Sequence, residues 1–290
     1  MRCSSLIHFL YRQLGKVMLV VTVMVAAMSA QADVLVSPLR VYLDDDQRST
    51  TVIMRNPGDG PRTYRLEWIE QRMSEDGVYS QYKEGETPKH SPASPYLRLS
   101  PRQITVQPGT NQTVRIQYRP GKDMKPGEYR SHLLFSVVPE LSEPTSVSTI
   151  KGEGEKEGMT LKLSMQMSVA IPVVVGRQLG EPPEVNIASV EPMPATAPGQ
   201  SAKLSVLLQR SGLAGSFGRV VVDMQLNADS PVERIGQADN ISVFADVDQR
   251  RLLLSLRDEK IPAGTWLRVA YEGMGEYAGR LWDEQVFQTR

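Results

Sequence analysis

The segment "MTLKLSMQMSVAIPVVVG", residues 159–176, carries an apolar side chain at every second position over most of its length. Successive side chains of a β-strand point to opposite faces, so this alternation predicts a strand with one apolar face. Strands usually run about 5–6 residues, and this pattern lasts more than twice as long. The apolar face consists of Leu161, Leu163, Met165, Met167, Val169, Ile171 and Val173.

Two features of this strand distinguish it from an ordinary interior strand of a sandwich, which is the alternative interpretation. Pro172 has no backbone N–H to donate, and prolines in sheets belong to edge strands or bulges. Lys162 is the only charged residue between Thr160 and Val175, although soluble proteins usually protect an exposed edge with charges. The pattern therefore favours a strand that another chain receives, and that recipient has to be a protein lacking one strand.

The rest of the chain reads as short strands separated by turns. The run "STTVIMR" (49–55) is rich in β-formers, and "NPGDG" (56–60) is a strong turn signal. Short strands at regular spacing predict antiparallel sandwiches, so we expect an all-β protein. The length suits two cores. We place the domains at residues 33–176, ending in the long strand, and 186–290, joined by a linker at 177–185.

The N-terminus has the pattern of a cleaved secretory signal peptide. Arg2, Arg12 and Lys16 precede an apolar run from Val17 to Ala30, and the small residues of 30–32 fit a cleavage site. We therefore predict a signal peptide at residues 1–32 and an exported product.

The sequence shows no catalytic or cofactor motif. The only cysteine, Cys3, lies in the predicted signal peptide, and neither His90 nor His132 has a partner at zinc-ligand spacing. No phosphate-binding loop, dinucleotide fingerprint or nucleophile elbow is present. Basic and acidic residues number 33 each, which gives no electrostatic argument for nucleic acid. We predict that the protein is not an enzyme and needs no metal or cofactor.

Taken in order, several motifs resemble the PapD-like periplasmic chaperones of pilus assembly. The opening strand contains "SPLRVYLD", and "RNPGDGPRTYRLEWIEQ" brings a tryptophan near the third strand. Further on come "SPASPYLRLSPRQITVQPGTNQTVRIQY" and "KPGEYRSHLLFSVVPE". A polar loop at 140–158 and the long alternating strand complete the match, which spans nearly all of the chain after residue 32.

This resemblance implies two immunoglobulin-like domains joined at an angle. The last strand of the first domain would be lent to a pilus subunit, held until an outer-membrane usher replaces it with another subunit's extension. The side chains that would fill the subunit's groove are Leu161, Leu163, Met165, Met167, Val169 and Ile171. A periplasmic location follows, and self-association that caps the free strand would protect it.

The resemblance also implies an anchor for the subunit's C-terminal carboxylate. Arg40 in "SPLRVYL" matches the family's arginine on the first strand, whose planar fork suits a carboxylate. The family's second anchor, a lysine, has no match in 168–171 ("SVAI"), and Arg130 stands where a glutamate is expected. The "YRP" expected after the lent strand reads "VVV" at 173–175. These departures indicate a divergent, non-classical branch.

A second hypothesis is an exported β-sandwich adhesin or structural surface subunit. In such a protein, residues 159–175 would be permanently paired within the chain's own sheets. A pilus subunit is expected to expose a groove or to carry a terminal extension, whereas the loop and strand here are internal. Charged replacements at Met165 and Met167 discriminate between the hypotheses. If the protein is a chaperone, it stays folded but no longer recovers a partner. If residues 159–175 belong to its own core, the protein itself unfolds.

Overall fold

Nearly all regular structure in this protein is β-strand. The computed structural model describes residues 34–83, 85–138, 168–193, 199–227, 229–257 and 260–289. These ranges contain nineteen strands and two short 3-10 turns, at Ser94–Tyr96 and Gly275–Tyr277. No helix within them is long and apolar enough to cross a membrane. The predicted signal peptide (1–32) and the 140–158 loop lie outside the described residues.

The strands are numbered here in chain order. In the first half of the chain they are β1 (Leu35–Ser37), β2 (Val41–Leu43), β3 (Ser49–Arg55), β4 (Arg62–Ile69), β5 (Gln71–Met73), β6 (Tyr79–Gln81), β7 (Ser91–Pro92), β8 (Leu97–Ser100), β9 (Gln103–Val106), β10 (Asn111–Tyr118), β11 (Gly127–Val137) and β12 (Val169–Arg177). In the second half they are β13 (Glu184–Met193), β14 (Lys203–Ser211), β15 (Ser216–Gln225), β16 (Glu233–Val243), β17 (Gln249–Ser255), β18 (Trp266–Gly273) and β19 (Leu281–Gln288).

The first sandwich packs two sheets face to face. One sheet has the order β1-β3-β10-β8, and the other has the order β2-β12-β11-β4-β9, with β7 beside β11. Alternation selects the core side of each strand, as in β3, where Val52 and Met54 are buried and Ile53 between them is exposed. Tyr64 and Leu66 of β4 enter the same core, and Trp68 packs against it, as their spacing predicts.

The second sandwich packs the sheet β13-β14-β17 against the sheet β16-β15-β18-β19. Its core includes Leu204, Val206 and Leu208 of β14, which are fully buried. The prediction of an all-β chain with two β-sandwich domains is confirmed. Because each sandwich buries its own apolar row, two separate cores form instead of one.

Some strand bounds differ from the pattern read in the sequence. The chain from Arg62 to Met73 divides into β4 and β5, because β5 leaves the sheet to pair with β6 as a separate hairpin. The predicted linker, 177–185, overlaps the end of β12 and the start of β13. Strand β16 is largely polar, so it carries little of the apolar alternation that marks the others.

A third, small apolar cluster joins the two sandwiches. Val174 of β12 and Met73 of β5 pack there against Phe244 and Val247 of the second sandwich. The side chain of Val174 points to the face of the sheet opposite that of Val173 and Val175, and yet all three are fully buried. Strand β12 is therefore buried on both faces near its C-terminal end, which explains why "VVV" replaces a simple alternation there.

Candidate functional site

The two halves of β12 have different numbers of neighbouring strands. Along its whole length β12 pairs antiparallel with β11, from Phe135 opposite Val169 to Gly127 opposite Arg177. On its other side, β2 pairs with Val173–Val175 alone. Among the described residues, none pairs with 169–172 on that side, so this stretch forms an open strand edge there. Pro172 lies in it, as expected of a proline in a sheet.

The six side chains predicted to enter a partner fall into two groups. Leu161, Leu163, Met165 and Met167 lie outside the described residues. Ile171 is 1% exposed and belongs to the first sandwich's own core, and Val169 is partly buried against that core. Ile171 is thus already packed within its own chain in this structure.

Arg40 is held by a carboxylate of the second sandwich. It immediately precedes β2, and its Nη1 and Nη2 donate to the two Glu276 oxygens at 2.8 and 2.6 Å. The guanidinium carbon lies 4.3 Å from the Phe217 ring centre and 5.7 Å from that of Tyr42. Burial, reinforced by the Glu276 charge, raises the pKa of Tyr42. The fork geometry suited to a carboxylate is therefore realised within the chain.

A second ion pair, deeper in the interface, joins Arg130 to Asp246. Arg130 Nη1 donates to Asp246 Oδ1 at 2.7 Å, and Nη2 donates to Oδ2 at 3.1 Å and to the Gln71 carbonyl at 3.1 Å. The two side chains are only 1% and 4% exposed. Burial opposes ionisation of Asp246, but hydrogen bonds from His90 and Arg130 outweigh it and lower the pKa of Asp246. The arginine in place of the family's glutamate thus has a carboxylate partner of its own.

The Glu128 carboxylate also crosses the interface. Its oxygens accept the backbone N–H groups of Gly215 at 2.7 Å and Ala245 at 3.4 Å. Burial raises the pKa of Glu128, although both donors favour the ionised form. A Cβ on Gly215 would lie 3.1 Å from Glu128 Oε1 and 2.9 Å from the Val243 carbonyl, so the close approach requires glycine here.

The two described histidines lie buried near this interface and have opposite pKa shifts. His90 is buried, with Nε2 2.9 Å from a Glu70 oxygen and Nδ1 3.7 Å from an Asp246 oxygen. Burial opposes its charge, but these two carboxylates prevail and raise the pKa of His90. Both ring nitrogens of His132 are buried without a hydrogen-bond partner among the described residues. Burial and the Arg130 charge lower the pKa of His132 to about 3.

The interface consists of ion pairs, hydrogen bonds and a small apolar cluster between the two sandwiches. Within the described ranges, no three His, Cys, Asp or Glu side chains are grouped so that they could hold a metal ion. Arg40 and Arg130 each pair with a carboxylate of the second sandwich. The candidate site thus consists of the open edge of β12 and, at the end of that edge, Arg40 with its bound Glu276 carboxylate.

The family resemblance singled out Arg40 as a candidate anchor, but nothing in the sequence pointed to the residues that surround it. Glu276 and Phe217 lie in the second sandwich, more than 170 positions from Arg40. Asp246 lies 116 positions along the chain from Arg130. No local spacing signals such pairs, because domain packing brings them together.

A scan against models of protein families finds no match, and a search of curated proteins finds none either. Among solved structures, the YadV chaperone is 15% identical, with 89% of this chain and 100% of that chain covered and a TM-score of 0.40. The CupB2 chaperone of Pseudomonas aeruginosa is 13% identical, with coverage of 88% and 100% and a TM-score of 0.41. A chain from the Salmonella enterica complex of SafA pilin with SafB chaperone is 11% identical, with coverage of 90% and 98% and a TM-score of 0.42.

These solved structures are of the class that the sequence resembles, the chaperones of pilus assembly. Since every TM-score quoted is below 0.5, the likenesses carry no part of the functional conclusion.

Proposed function

We propose that this protein is a periplasmic chaperone that binds pilus subunits by lending them a strand and then delivers them to an outer-membrane usher. The lent strand is the segment that runs into β12, with Leu161, Leu163, Met165, Met167 and Val169 as its apolar row. Neither an enzyme activity nor a cofactor is part of this function.

The open edge of β12 carries this proposal. Within the part of the chain that the structure describes, 169–172 have a paired neighbour on one side only, while 173–175 have one on each side. The backbone N–H and C=O groups of an open edge are free to pair with an added strand, the mode called β-augmentation. The alternating segment 161–167 directly precedes this edge, so one continuous strand would serve both the chain and its guest.

The position of Arg40 supports the same function. In the parallel pairing of β2 with β12, Val41 lies opposite Val173. Arg40, one residue earlier, therefore lies level with the point at which the open edge begins. A guest strand that ends there would bring its terminal carboxylate to a guanidinium whose fork matches it.

The apolar row supplies the affinity. Each Leu, Met or Val side chain contributes about 1.5–3 kcal/mol when it leaves water, although ordering of the two chains offsets much of the sum. Methionine's flexible thioether suits a groove that varies among subunits. Capping of the free row by self-association would protect the chaperone before a subunit arrives.

Paired charge replacements test the proposal. We expect Met165→Lys with Met167→Lys to abolish recovery of a pilus subunit with the tagged protein from the host's periplasm, while circular dichroism and the melting temperature stay unchanged. The replacements put two charges into the apolar row that a subunit must bury. Their matched control, Ser164→Lys with Gln166→Lys, adds the same charges on the opposite face and should retain the subunit.

A third variant separates the lent row from the chain's own core. Ile171→Lys should unfold the first sandwich, because Ile171 is 1% exposed within it. If the Met165 and Met167 replacements unfold the protein in the same way, the strand is permanently internal. The chain would then be a β-sandwich adhesin or surface subunit.

A further inference from the structure

We propose that Glu276 is an internal substitute for the guest's terminal carboxylate, so that Arg40 is released to a guest only when Glu276 is displaced. This inference rests on the proposed function, and it adds the regulation of the anchoring site. Arg40 and Glu276 form a bidentate pair at 2.6 and 2.8 Å between the two sandwiches. A C-terminal carboxylate needs the same two donors.

Glu276 is held at this place by the turn that carries it. Gly275, at φ +58°, begins the 3-10 turn Gly275–Tyr277, and a positive φ is favourable for glycine. The Tyr277 hydroxyl donates to the Gly215 carbonyl at 3.0 Å, and the Met274 N–H donates to the Phe217 carbonyl at 3.1 Å. The turn is therefore fixed, and the Glu276 side chain alone needs to move.

Among the described residues, a single side chain holds the carboxylate of Glu276. Among the described residues, Arg40 is the only group that hydrogen-bonds it, and the Glu276 side chain is 13% exposed. Asp246 in the deeper pair is 4% exposed and contacts both Arg130 and His90. A rotation toward solvent can thus free Arg40 at low cost, whereas the deeper pair stays fixed.

The consequence is selective capture. An internal carboxylate on a fixed turn competes at a high effective concentration, so a free carboxylate alone cannot occupy Arg40. A guest strand that also pairs with the open edge of β12 gains enough to displace Glu276. Arbitrary chain termini in the periplasm would be ignored, and strand-deficient subunits would be retained.

The test compares three fluorescein-labelled peptides of alternating valine and serine by fluorescence anisotropy. One ends in a free carboxylate, one is amidated, and one is amidated after a final glutamate. We expect Glu276→Gln and Glu276→Ala each to bind the free-carboxylate peptide about tenfold tighter than the wild type does, as removal of a charge-assisted pair implies. Binding of the amidated peptide should not change. The matched control Asp246→Asn removes a carboxylate from the other interdomain pair and should leave the carboxylate preference unchanged.

An unchanged carboxylate preference in both Glu276 variants overturns the inference, as does an equal gain in Asp246→Asn. An equal gain for the peptide with a side-chain carboxylate overturns the assignment to a chain terminus. These failures differ from failure of the proposed function, which appears as subunit recovery that is insensitive to the Met165 and Met167 replacements. Arg40→Ala should abolish the preference in the Glu276→Gln background.

Discussion

Two ion pairs join the same two sandwiches, yet they differ in how tightly the protein encloses them. Arg130 and Asp246 are 1% and 4% exposed and share contacts with His90 and the Gln71 carbonyl. Arg40 and Glu276 are 8% and 13% exposed, and Glu276 hydrogen-bonds Arg40 alone among the described residues. The Arg130–Asp246 pair is thus nearly closed to solvent, whereas the more exposed Arg40–Glu276 pair is the one that, in our proposal, exchanges its carboxylate for a guest's.

The deep pair should give the largest effect on stability. We expect Arg130→Ala to lower the free energy of unfolding by about 3–5 kcal/mol, because Asp246 is then left buried without its cation. Urea denaturation measures the loss. Arg130→Leu with Asp246→Leu removes both charges and should recover part of it. If Arg130→Ala lowered the free energy of unfolding by less than about 1 kcal/mol, the two ion pairs would contribute alike to stability.

His132, on the same strand as Arg130, should make the interface sensitive to acid. Its pKa of about 3 in the folded protein lies below the unfolded value of about 6.5, so the unfolded state binds more protons between these values. Stability therefore falls as the pH drops below about 6.5, by about 2 kcal/mol for this group between pH 7 and pH 5. We expect His132→Leu to remove that loss in denaturation curves at the two pH values.

The matched control for this effect is a wild-type measurement at pH 7 and pH 8, where the His132 contribution should be constant. Identical acid sensitivity in the wild type and His132→Leu would mean that the imidazole is hydrated in the folded protein.

The edge pair should matter less for folding. We expect Arg40→Ala to lower the free energy of unfolding by only about 1 kcal/mol, because Glu276 can turn to water. The same urea series measures it beside Arg130→Ala. A loss as large as that of Arg130→Ala would assign Arg40 to the fixed framework and would remove the basis for calling its pair exchangeable.

The smallest effect on stability is expected at His90, whose pKa is shifted in the opposite direction to that of His132. Its folded pKa is raised, with Glu70, Asp246, Arg130 and Tyr82 around the ring. Its contribution is therefore complete below the unfolded value of about 6.5 and is lost as the pH rises through the folded pKa. The stability difference between the wild type and His90→Gln should shrink from pH 6 to pH 9. A difference that grows with pH would contradict the raised pKa.

Strand-level features could be predicted from the sequence because they depend on local alternation. The buried and exposed positions of β3 and β4, the edge position of Pro172 and the all-β class with two sandwiches follow from side-chain periodicity and from the missing N–H of proline. The roles of Leu161, Leu163, Met165 and Met167 stay predictions. The burial of His90 could not be predicted, since its polar neighbours along the chain are typical of a surface loop.

The sequence by itself determined which stretches form strands and which faces are apolar, while the family resemblance singled out Arg40 as a candidate anchor. Only the tertiary structure decided that Glu276 meets this arginine, that Asp246 meets Arg130 and that Ile171 packs inside its own sandwich. The physical reason is range: alternation acts between neighbours along the chain, whereas an ion pair between residues more than a hundred positions apart forms only after two separate cores have folded and packed together.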